Sequence, residues 1–235
     1  MNTPLIPKVA RRYDRLASTN TAAITAINDG ESLANGAVFW ADAQTAGRGQ
    51  GSNRWHASPN ANLSLSIVVY PDHLAVDRLF ALTQASALAV AEPVRGYLPA
   101  PAATSVKVKW PNDVYVGNRK IAGILVQNGL RGNRIAWSVI GIGLNVNEAA
   151  FPEELINTAT SLHLLTGITY DRDQVGAELF RCFADAYALT APARIANLND
   201  YYRKNLYRRD VPSEFVVTAT GVRITAVIRG VDEVG

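Results

Sequence analysis

Residues 106–127 read VKVKWPNDVYVGNRKIAGILVQ, and this stretch decides the interpretation of the fold. Val106–Trp110 and Lys120–Gln127 are rich in the β-branched and apolar residues that favour strands. Asn118-Arg119 supplies a tight turn just before the second run, so a hairpin is expected there. The stretch therefore predicts neighbouring antiparallel strands whose ends carry polar side chains.

The corner between these strands is KWPND, at Lys109–Asp113. Pro111 keeps the preceding residue extended and removes a backbone donor, so Asn112 and Asp113 are presented at a fixed position. An Asn side chain offers a donor and an acceptor together, which suits a purine edge or an amide-like ring. Alone, such a corner is an ordinary turn, so its interpretation depends on its neighbours.

Helix-like and strand-like segments alternate on both sides of this stretch. Strands are predicted at Ala37–Ala41, Leu63–Val69 and Ile135–Ile142, and helices at Ser18–Asn28, Asp77–Val90 and Asp173–Leu189. Leu and Ser alternate in Leu63–Val69, which predicts a strand with one buried face. No charged residue occurs between Arg78 and Glu92, so the second helix should be buried nearly all round. The order predicts a mixed α/β layer.

The tail changes character after Tyr207. Two short β runs, Phe215–Ala219 and Val222–Ile228, flank a turn, so we place a domain boundary near Leu206–Pro212 and divide the chain into 1–206 and 207–235. Two strands alone are marginally stable in water. We therefore expect the tail to be the opening of a small β domain that is cut short.

A second polar cluster is GRGQGSNRW, at Gly47–Trp55, between two predicted strands. Glycine lets backbone N–H groups approach an anion closely, and Arg48 and Arg54 add positive charge. The loop is not a dinucleotide fingerprint, because Ser52 takes the place of the third glycine, and it is not a Walker loop, since no Gly-Lys-Ser/Thr occurs. The alternative is a mobile surface turn, but the KWPND corner favours a ligand site.

Composition narrows the functional classes. The chain has 235 residues, a net charge of +3, three scattered histidines and one cysteine, Cys182. These counts exclude an internal disulfide framework and give no metal-ligand spacing, and Cys182 lies in an amphipathic run where burial is expected. No signal peptide and no run of about 20 apolar residues is present, which favours a soluble cytoplasmic protein without membrane contact. The basic clusters read as solvated helix faces rather than a nucleic-acid site.

The polar clusters, taken in order, resemble those of biotin–protein ligases. They are STN at 18–20, QTAGRGQ at 44–50, Trp55, KWPND at 109–113, RKIAGIL at 119–125, GIGLNVN at 141–147 and ATSL at 159–162. The resemblance implies a catalytic domain of class II aminoacyl-tRNA synthetase and biotin ligase type, with a mixed sheet and flanking helices. The tail VRITAVIRGVDEVG resembles the opening of that family's SH3-like β-barrel.

The resemblance also implies an activity. Members join biotin to ATP, giving biotinyl-5′-AMP and pyrophosphate, and then transfer biotin to a lysine of a biotin carboxyl carrier protein, typically in acetyl-CoA carboxylase. Two anions meet in the first step, so Mg²⁺, Arg48 and Lys120 are expected to offset the charge at phosphorus. A glycine-rich loop that orders over the adenylate would keep water away from it.

Site residues follow from the same resemblance. Arg48 and Lys120 are expected to be catalytic, and no residue is expected to bind a metal directly. The biotin set is Ser18, Thr19, Asn20, Gln44, Gly47, Arg48, Gly49, Trp55, Lys120 and Gly123. The ATP and adenylate set is Arg48, Arg54, Trp55, Asn112, Lys120 and Asn145.

Two departures from the family are visible. Bacterial relatives often carry GRGRRG in the loop, whereas Gln50-Gly51-Ser52 stands here. The dozen residues before Tyr13 cannot hold a helix-turn-helix domain, so a repressor role is not expected.

Other readings remain open beside the ligase. They are a lipoate ligase, which shares the scaffold and the adenylation chemistry, and a non-catalytic biotin- or nucleotide-binding regulator. Nucleic-acid binding through the basic clusters would show affinity that falls steeply with salt. Related enzymes include monomers and dimers, and a homodimer through an edge strand such as Ile135–Ile142 is one arrangement to test.

Overall fold

The computed structural model describes residues 5–51 and 53–235 and is built on a seven-stranded sheet. The sheet runs β1-β2-β3-β7-β6-β5-β4, with β1 parallel to β2 and every other neighbouring pair antiparallel. The mixed sheet predicted from the sequence is confirmed. Its strands are β1 Lys8–Tyr13, β2 Ala37–Ala41, β3 Leu63–Val69, β4 Val106–Lys109, β5 Asp113–Val116, β6 Arg119–Arg131 and β7 Arg134–Leu144.

Helices cover both faces of this sheet. They are α1 Thr19–Asn28, α2 Phe80–Tyr97, α3 Ala100–Ala103, α4 Leu162–Thr166, α5 Arg172–Ala188 and α6 Ile195–Lys204. The predicted cap of α1 is confirmed, since the Ser18 hydroxyl accepts from the backbone N–H of Thr21 at 3.5 Å. None of the helices in the described residues is both long and apolar enough to cross a membrane.

The sheet has a core on each face. The larger cluster joins alternate residues of β2, β3, β6 and β7 to α2, α5 and α6. The smaller one packs Ala23 and Ala26 of α1 against Phe39, Val68 and Val139 on the opposite face. As a result β3 is buried along its whole length, serines included. The expectation of one buried face was wrong, because alternation on a strand does not show that a helix covers the polar side.

Helix α2 also differs from its prediction. A short 3₁₀ turn at Val76–Arg78 precedes it, and the helix then runs from Phe80 to Tyr97, well past Val90. Pro93 removes one backbone hydrogen bond within it. Packing along α5 and α6 keeps the helix continuous there.

The position of β7 corrects a second expectation. Ile135–Ile142 lies within β7, which pairs with β3 on one side and β6 on the other. From Ser138 to Ile142 the strand is hydrogen-bonded on both sides and has no free edge, whereas Ile135–Trp137 is paired with β6 alone. The edge strands are β1 and β4. A homodimer stays a prediction, and within this segment only Ile135–Trp137 has an edge open to such pairing.

The tail forms a separate two-stranded antiparallel sheet, β8 Pro212–Val216 and β9 Arg223–Val227. Gly221 occupies the intervening turn with φ of +69°, a conformation that favours glycine. Beyond β9, Ile228 and Val231 pack against the large core cluster. The boundary near residue 206 and the SH3-like barrel stay predictions.

Candidate functional site

A pocket lies over the part of the sheet where β3, β6 and β7 carry small residues. Ser66, Gly141 and Leu125 are cross-strand neighbours, and Ser64, Gly143 and Gly123 are the next row. Small side chains lower the surface of the sheet there. The N-terminus of α1, the Gly47–Trp55 loop and the β4–β5 corner surround the depression.

The glycines of this depression make room for three specific side chains. A Cβ at Gly141 would overlap the Asn20 amide, and one at Gly143 would overlap the Trp55 indole. A Cβ at Gly123 would lie 3.1 Å from Cε and Nζ of Lys120. The glycines of GIGLNVN and RKIAGIL therefore hold a polar amide, an aromatic ring and a cation against the sheet.

Polar side chains form one end of the pocket. The Thr19 N–H donates to Gln44 Oε1 at 2.8 Å, which ties the start of α1 to the segment after β2. Ser18, Thr19 and Asn20 are each buried. Because the Gln44 carbonyl is engaged inside the protein, its amide N–H₂ group is the part available to a ligand.

The glycine loop is folded back on itself. The Gly49 N–H donates to Asn53 O at 2.8 Å and the Trp55 N–H donates to Gly47 O at 3.0 Å. The backbones of Arg48 and Arg54 form an isolated antiparallel β-bridge across the loop, and both residues are exposed. Within residues 5–51 and 53–235 neither guanidinium group has a carboxylate partner. This part of the pocket is therefore positively charged.

Lys120 brings a third cation from the sheet. Its Nζ lies 2.7 Å from Asp113 Oδ1 and 5.6 Å from the Trp55 ring centroid. Its backbone is fixed by the segment after β7: the N–H donates to Thr158 O at 2.7 Å, and the carbonyl accepts from Thr160 N at 2.8 Å. The ATSL motif thus positions Lys120.

The Trp55 indole lies against the sheet at Gly143, beside Lys120. Its indole N–H is buried and has no acceptor among the residues that the structure describes. A buried donor without an acceptor is costly, so this site favours a ligand or a water that accepts from it.

Most of the predicted site residues meet in this pocket, and two do not. The pocket is lined by Ser18, Thr19, Asn20, Gln44, Arg48, Gly49, Arg54, Trp55, Asn112, Lys120 and Gly123. Gly47 is buried beneath the loop, where a Cβ would lie 2.8 Å from Trp55 O, so it shapes the loop instead. Asn145 is 3% exposed, and its Nδ2 donates to Thr160 O at 3.0 Å.

Asn145 therefore supports the segment that holds Lys120 and does not line the pocket. Its prediction as an adenosine contact rested on its place in GIGLNVN, and the turn of the chain after β7 directs the side chain inward. Asn112 does line the pocket, with its amide donating to Ile124 O.

The sequence interpretation missed several pocket residues. Gly141 and Gly143 were noted only as part of a polar cluster, and Asp113 received no assigned role. Gln50 lines the pocket, Gly51 has φ of +65°, and Ser52 lies outside the described residues. The remaining lining residues are Asn53, Leu65, Ile124, Leu125 and Ile142.

The pocket has the chemistry of an anion site joined to an amide site. Arg48, Arg54 and Lys120 face it, and Asp113 is the one carboxylate among the described residues that line it. No group of three His, Cys, Asp or Glu side chains able to hold a metal occurs in the described part of the chain. The protein there supplies charge and hydrogen bonds rather than a metal cage.

Comparison with known proteins gives one family match and several similar proteins. The model of the biotin/lipoate A/B protein ligase family matches residues 13–145. The bifunctional ligase/repressor BirA of Bacillus spizizenii is 34% identical over 176 residues, which are 74% of this chain and 52% of that protein. The biotin–[acetyl-CoA-carboxylase] ligase of Mycobacterium tuberculosis is 35% identical over 70% of this chain and 58% of its own length. The chain spans little more than half the length of these curated relatives.

Solved structures share the fold. Biotin protein ligase from Aquifex aeolicus in complex with biotin and ATP superimposes with a TM-score of 0.77 at 22% identity, covering 96% of this chain and 88% of that one. The Leishmania major enzyme in complex with biotinyl-5-AMP gives 0.66 at 21% identity, over 94% and 99%. The predicted fold, a mixed sheet of class II synthetase type with flanking helices, is confirmed. Because the family model spans more than half of the chain, from the end of β1 to just past β7, the chain belongs to the biotin/lipoate A/B protein ligase family.

Proposed function

We propose that this chain is a biotin–protein ligase. It activates biotin with ATP to biotinyl-5′-AMP and then biotinylates a lysine of a biotin carboxyl carrier domain. Family membership and the relatives named as biotin ligases support this assignment. The single observation that carries it is the pocket itself, which joins an amide-binding end to three cations.

The two ends of the pocket match the two ends of biotin. Thr19 and Gln44 offer an acceptor and a donor to the ureido ring. Arg48 and Lys120 also line the pocket, and we expect the carboxylate and the phosphate to meet beside them. A lipoyl ring has no N–H or carbonyl group, so it would leave the Thr19 and Gln44 end unpaired, at a cost in affinity.

The first step is attack of a biotin carboxylate oxygen on the α-phosphorus of ATP. The new O–P bond gives the adenylate, and the bond between the α-phosphorus and the bridging oxygen breaks, so pyrophosphate leaves with the electron pair. Negative charge builds on the phosphoryl oxygens during this exchange. Arg48 and Lys120 stabilise that charge from fixed positions, and the Trp55 ring limits the access of water.

The second step is attack of a carrier lysine amine on the acyl carbon of the adenylate. An amide bond forms, the acyl C–O bond breaks, AMP leaves, and the amine loses a proton to solvent. The Gly47–Trp55 loop holds the mixed anhydride until the carrier arrives. Its glycines allow it to close and reopen.

Mg²⁺ enters this scheme as a companion of ATP. Asp113 is the one carboxylate among the described pocket residues, and it is already paired with Lys120. A lone carboxylate fits a cation that is held mainly by substrate phosphates and water.

We also place the protein in the cytoplasm, where ATP and carboxylase carriers are present, without a role in nucleic-acid binding.

The deciding assay is biotin-dependent exchange of pyrophosphate into ATP, followed by mass spectrometry of a carrier domain incubated with the protein. We expect exchange with biotin and a mass increase on one carrier lysine. Exchange with lipoate alone would make the chain a lipoate ligase. Tight biotin binding without exchange would make it a binding regulator.

A further inference from the structure

Beneath the amide-binding end of the pocket lies a chain of buried hydrogen bonds that the proposed reaction does not itself use. It joins Asn20 of α1, Ser66 of β3 and Gln127 of β6. Ser66 is fully buried and Asn20 is 4% exposed. The directions of these hydrogen bonds can be assigned one by one, starting from an atom whose role is fixed.

The fixed atom is the backbone carbonyl of Leu125, which can only accept. It lies 3.3 Å from one terminal atom of the Asn20 amide, so that atom must be the donor Nδ2. The same nitrogen donates to Gln127 Oε1 at 2.9 Å. The Asn20 oxygen therefore points the other way, towards β3, into the space left by Gly141.

Asn20 Oδ1 in turn fixes the hydroxyl of Ser66. The two oxygens are 2.6 Å apart, and an amide oxygen has no proton to give, so Ser66 must donate. Ser66 Oγ also lies 2.7 Å from Thr19 Oγ1. Since the Ser66 hydroxyl has one proton and it is already engaged, the Thr19 hydroxyl must donate to Ser66.

Thr19 is thereby left with an oxygen that can only accept from the pocket. Gln44 is fixed as well, because its Oε1 accepts the Thr19 backbone N–H and its Nε2 remains as a donor. We propose that the Asn20–Ser66–Thr19 relay sets this polarity, and that Ser66 is a positioning residue that makes the site specific for a cyclic urea. This inference rests on the proposed function and names Ser66, which lies outside the pocket wall, as a determinant of its specificity.

A cyclic urea presents an N–H beside a carbonyl, which matches an acceptor beside a donor. In Ser66→Ala the Thr19 hydroxyl loses this acceptor and keeps only the longer contact with Gln44 Oε1, at 3.3 Å, so its proton is free to turn towards the ligand, where it meets another donor. Loss of one such hydrogen bond corresponds to a dissociation constant for biotin raised about tenfold. The KM for ATP should not change, because the relay lies at the other end of the pocket.

The test is a double-mutant cycle of biotin binding, measured by calorimetry on the full chain. We compare the wild type, Ser66→Ala, Thr19→Val and the double variant. If Ser66 acts through Thr19, its substitution has no further effect in the Thr19→Val background. Ser138→Ala is the matched control, since Ser138 is a buried serine of the same sheet that donates to Asn128 Oδ1 and is not among the described pocket residues. It should bind biotin like the wild type.

Each outcome is decisive. Additive effects of Ser66→Ala and Thr19→Val, or a raised KM for ATP equal to that for biotin, would overturn the relay while the ligase assignment stood. A wild type that binds no biotin would overturn both proposals. If Ser66→Ala fails to fold, Ser66→Cys replaces it, because the thiol fills the space of the hydroxyl but is only a weak donor and a weak acceptor. A biotin affinity unchanged by that substitution overturns the relay as well.

Discussion

Lys120 and Asp113 form an ion pair within the candidate site, with 2.7 Å between Nζ and Oδ1. They belong to neighbouring strands of one hairpin, and the carboxylate holds the ammonium group against the sheet beside Trp55. Both side chains are partly exposed, so the pair contributes little to folding. The ion pair matters because it fixes the position of the Lys120 ammonium group in the pocket.

Replacing Lys120 by Ala should lower biotin-dependent pyrophosphate exchange by about 10²- to 10³-fold, the range typical for loss of a group that stabilises transition-state charge. The unfolding free energy should change little, because the side chain is 31% exposed. Lys107→Ala is the control: Lys107 lies on β4, which β5 separates from the strand of Lys120, and it is not among the described pocket residues. Undiminished exchange in Lys120→Ala would remove Lys120 from the chemistry.

Gly143 should not tolerate a side chain. A Cβ there would overlap the Trp55 indole, so Gly143→Ala must displace the ring or the strand. We expect a KM for biotin raised at least tenfold and a loss of about 1–3 kcal/mol of unfolding free energy, the usual effect of overpacking. Exchange kinetics and urea denaturation measure the two effects.

The matched control for that change is Gly96→Ala. A Cβ at Gly96 meets no atom of the described residues within 4 Å, and Gly96 lies within helix α2. Alanine there should stabilise the protein by about 0.5–1 kcal/mol and leave activity unchanged. Equal behaviour of the two variants would mean that Trp55 does not depend on the space at Gly143.

The sequence predicted the strands well wherever local pattern determines them. Ala37–Ala41 and Leu63–Val69 match β2 and β3 at both ends. Strand β1 was missed because KVARRY has four charged or aromatic residues in six positions and lies exposed at an edge. Its pairing with β2 is a tertiary contact, which no window of sequence contains.

The site residues also fall into two groups, those that motifs identify and those that only tertiary packing reveals. The residues at element ends, such as Ser18, Gln44 and Arg48, could be found from motifs. Ser66 could not, because a serine alternating with leucines on a strand indicates a polar face, and only the packing of α1 buries it. Asn145 shows the reverse case, a motif residue that the chain turns away from the pocket.

Asp42 should make the free energy of unfolding decrease at low pH. It pairs with Arg172 at 2.9 Å and with Arg12 at 3.1 Å. Burial alone would raise the pKa of Asp42, but the two guanidinium groups hold it below its ordinary value of 3.8. A lowered pKa means that the stabilisation is fully present above about pH 4 and is lost as the pH falls through the folded-state pKa.

Asp42→Asn should therefore cost about 2 kcal/mol of unfolding free energy at pH 7, and less at pH 3. Urea denaturation at both values measures the difference. Asp185→Asn is the control, because that carboxylate is 73% exposed and its pair with Arg181 is solvated. A cost that stays constant with pH would contradict the assignment of this linkage to Asp42.

Cys182 should be inert in the folded protein. The residue is 6% exposed, and burial raises the pKa of its thiol to about 11. Because the thiolate is the reactive form, alkylation by iodoacetamide at pH 8 should be slow in native buffer and complete in urea. Mass spectrometry over time follows the reaction. Fast alkylation of the native protein would indicate that helix α5 opens or that the thiol is accessible.

Closure of the Gly47–Trp55 loop should protect it from trypsin. Arg48 and Arg54 are exposed in the free protein, so the bonds after both are open to cleavage. Biotin and ATP together bring two anions to these cations, and the ordered loop should then be cut at least tenfold more slowly. Arg131, exposed beside the β6–β7 turn, is an internal control whose cleavage should not change. Equal cleavage of the loop with and without both ligands would exclude closure, and protection by biotin alone would assign the ordering to the biotin carboxylate rather than to the adenylate.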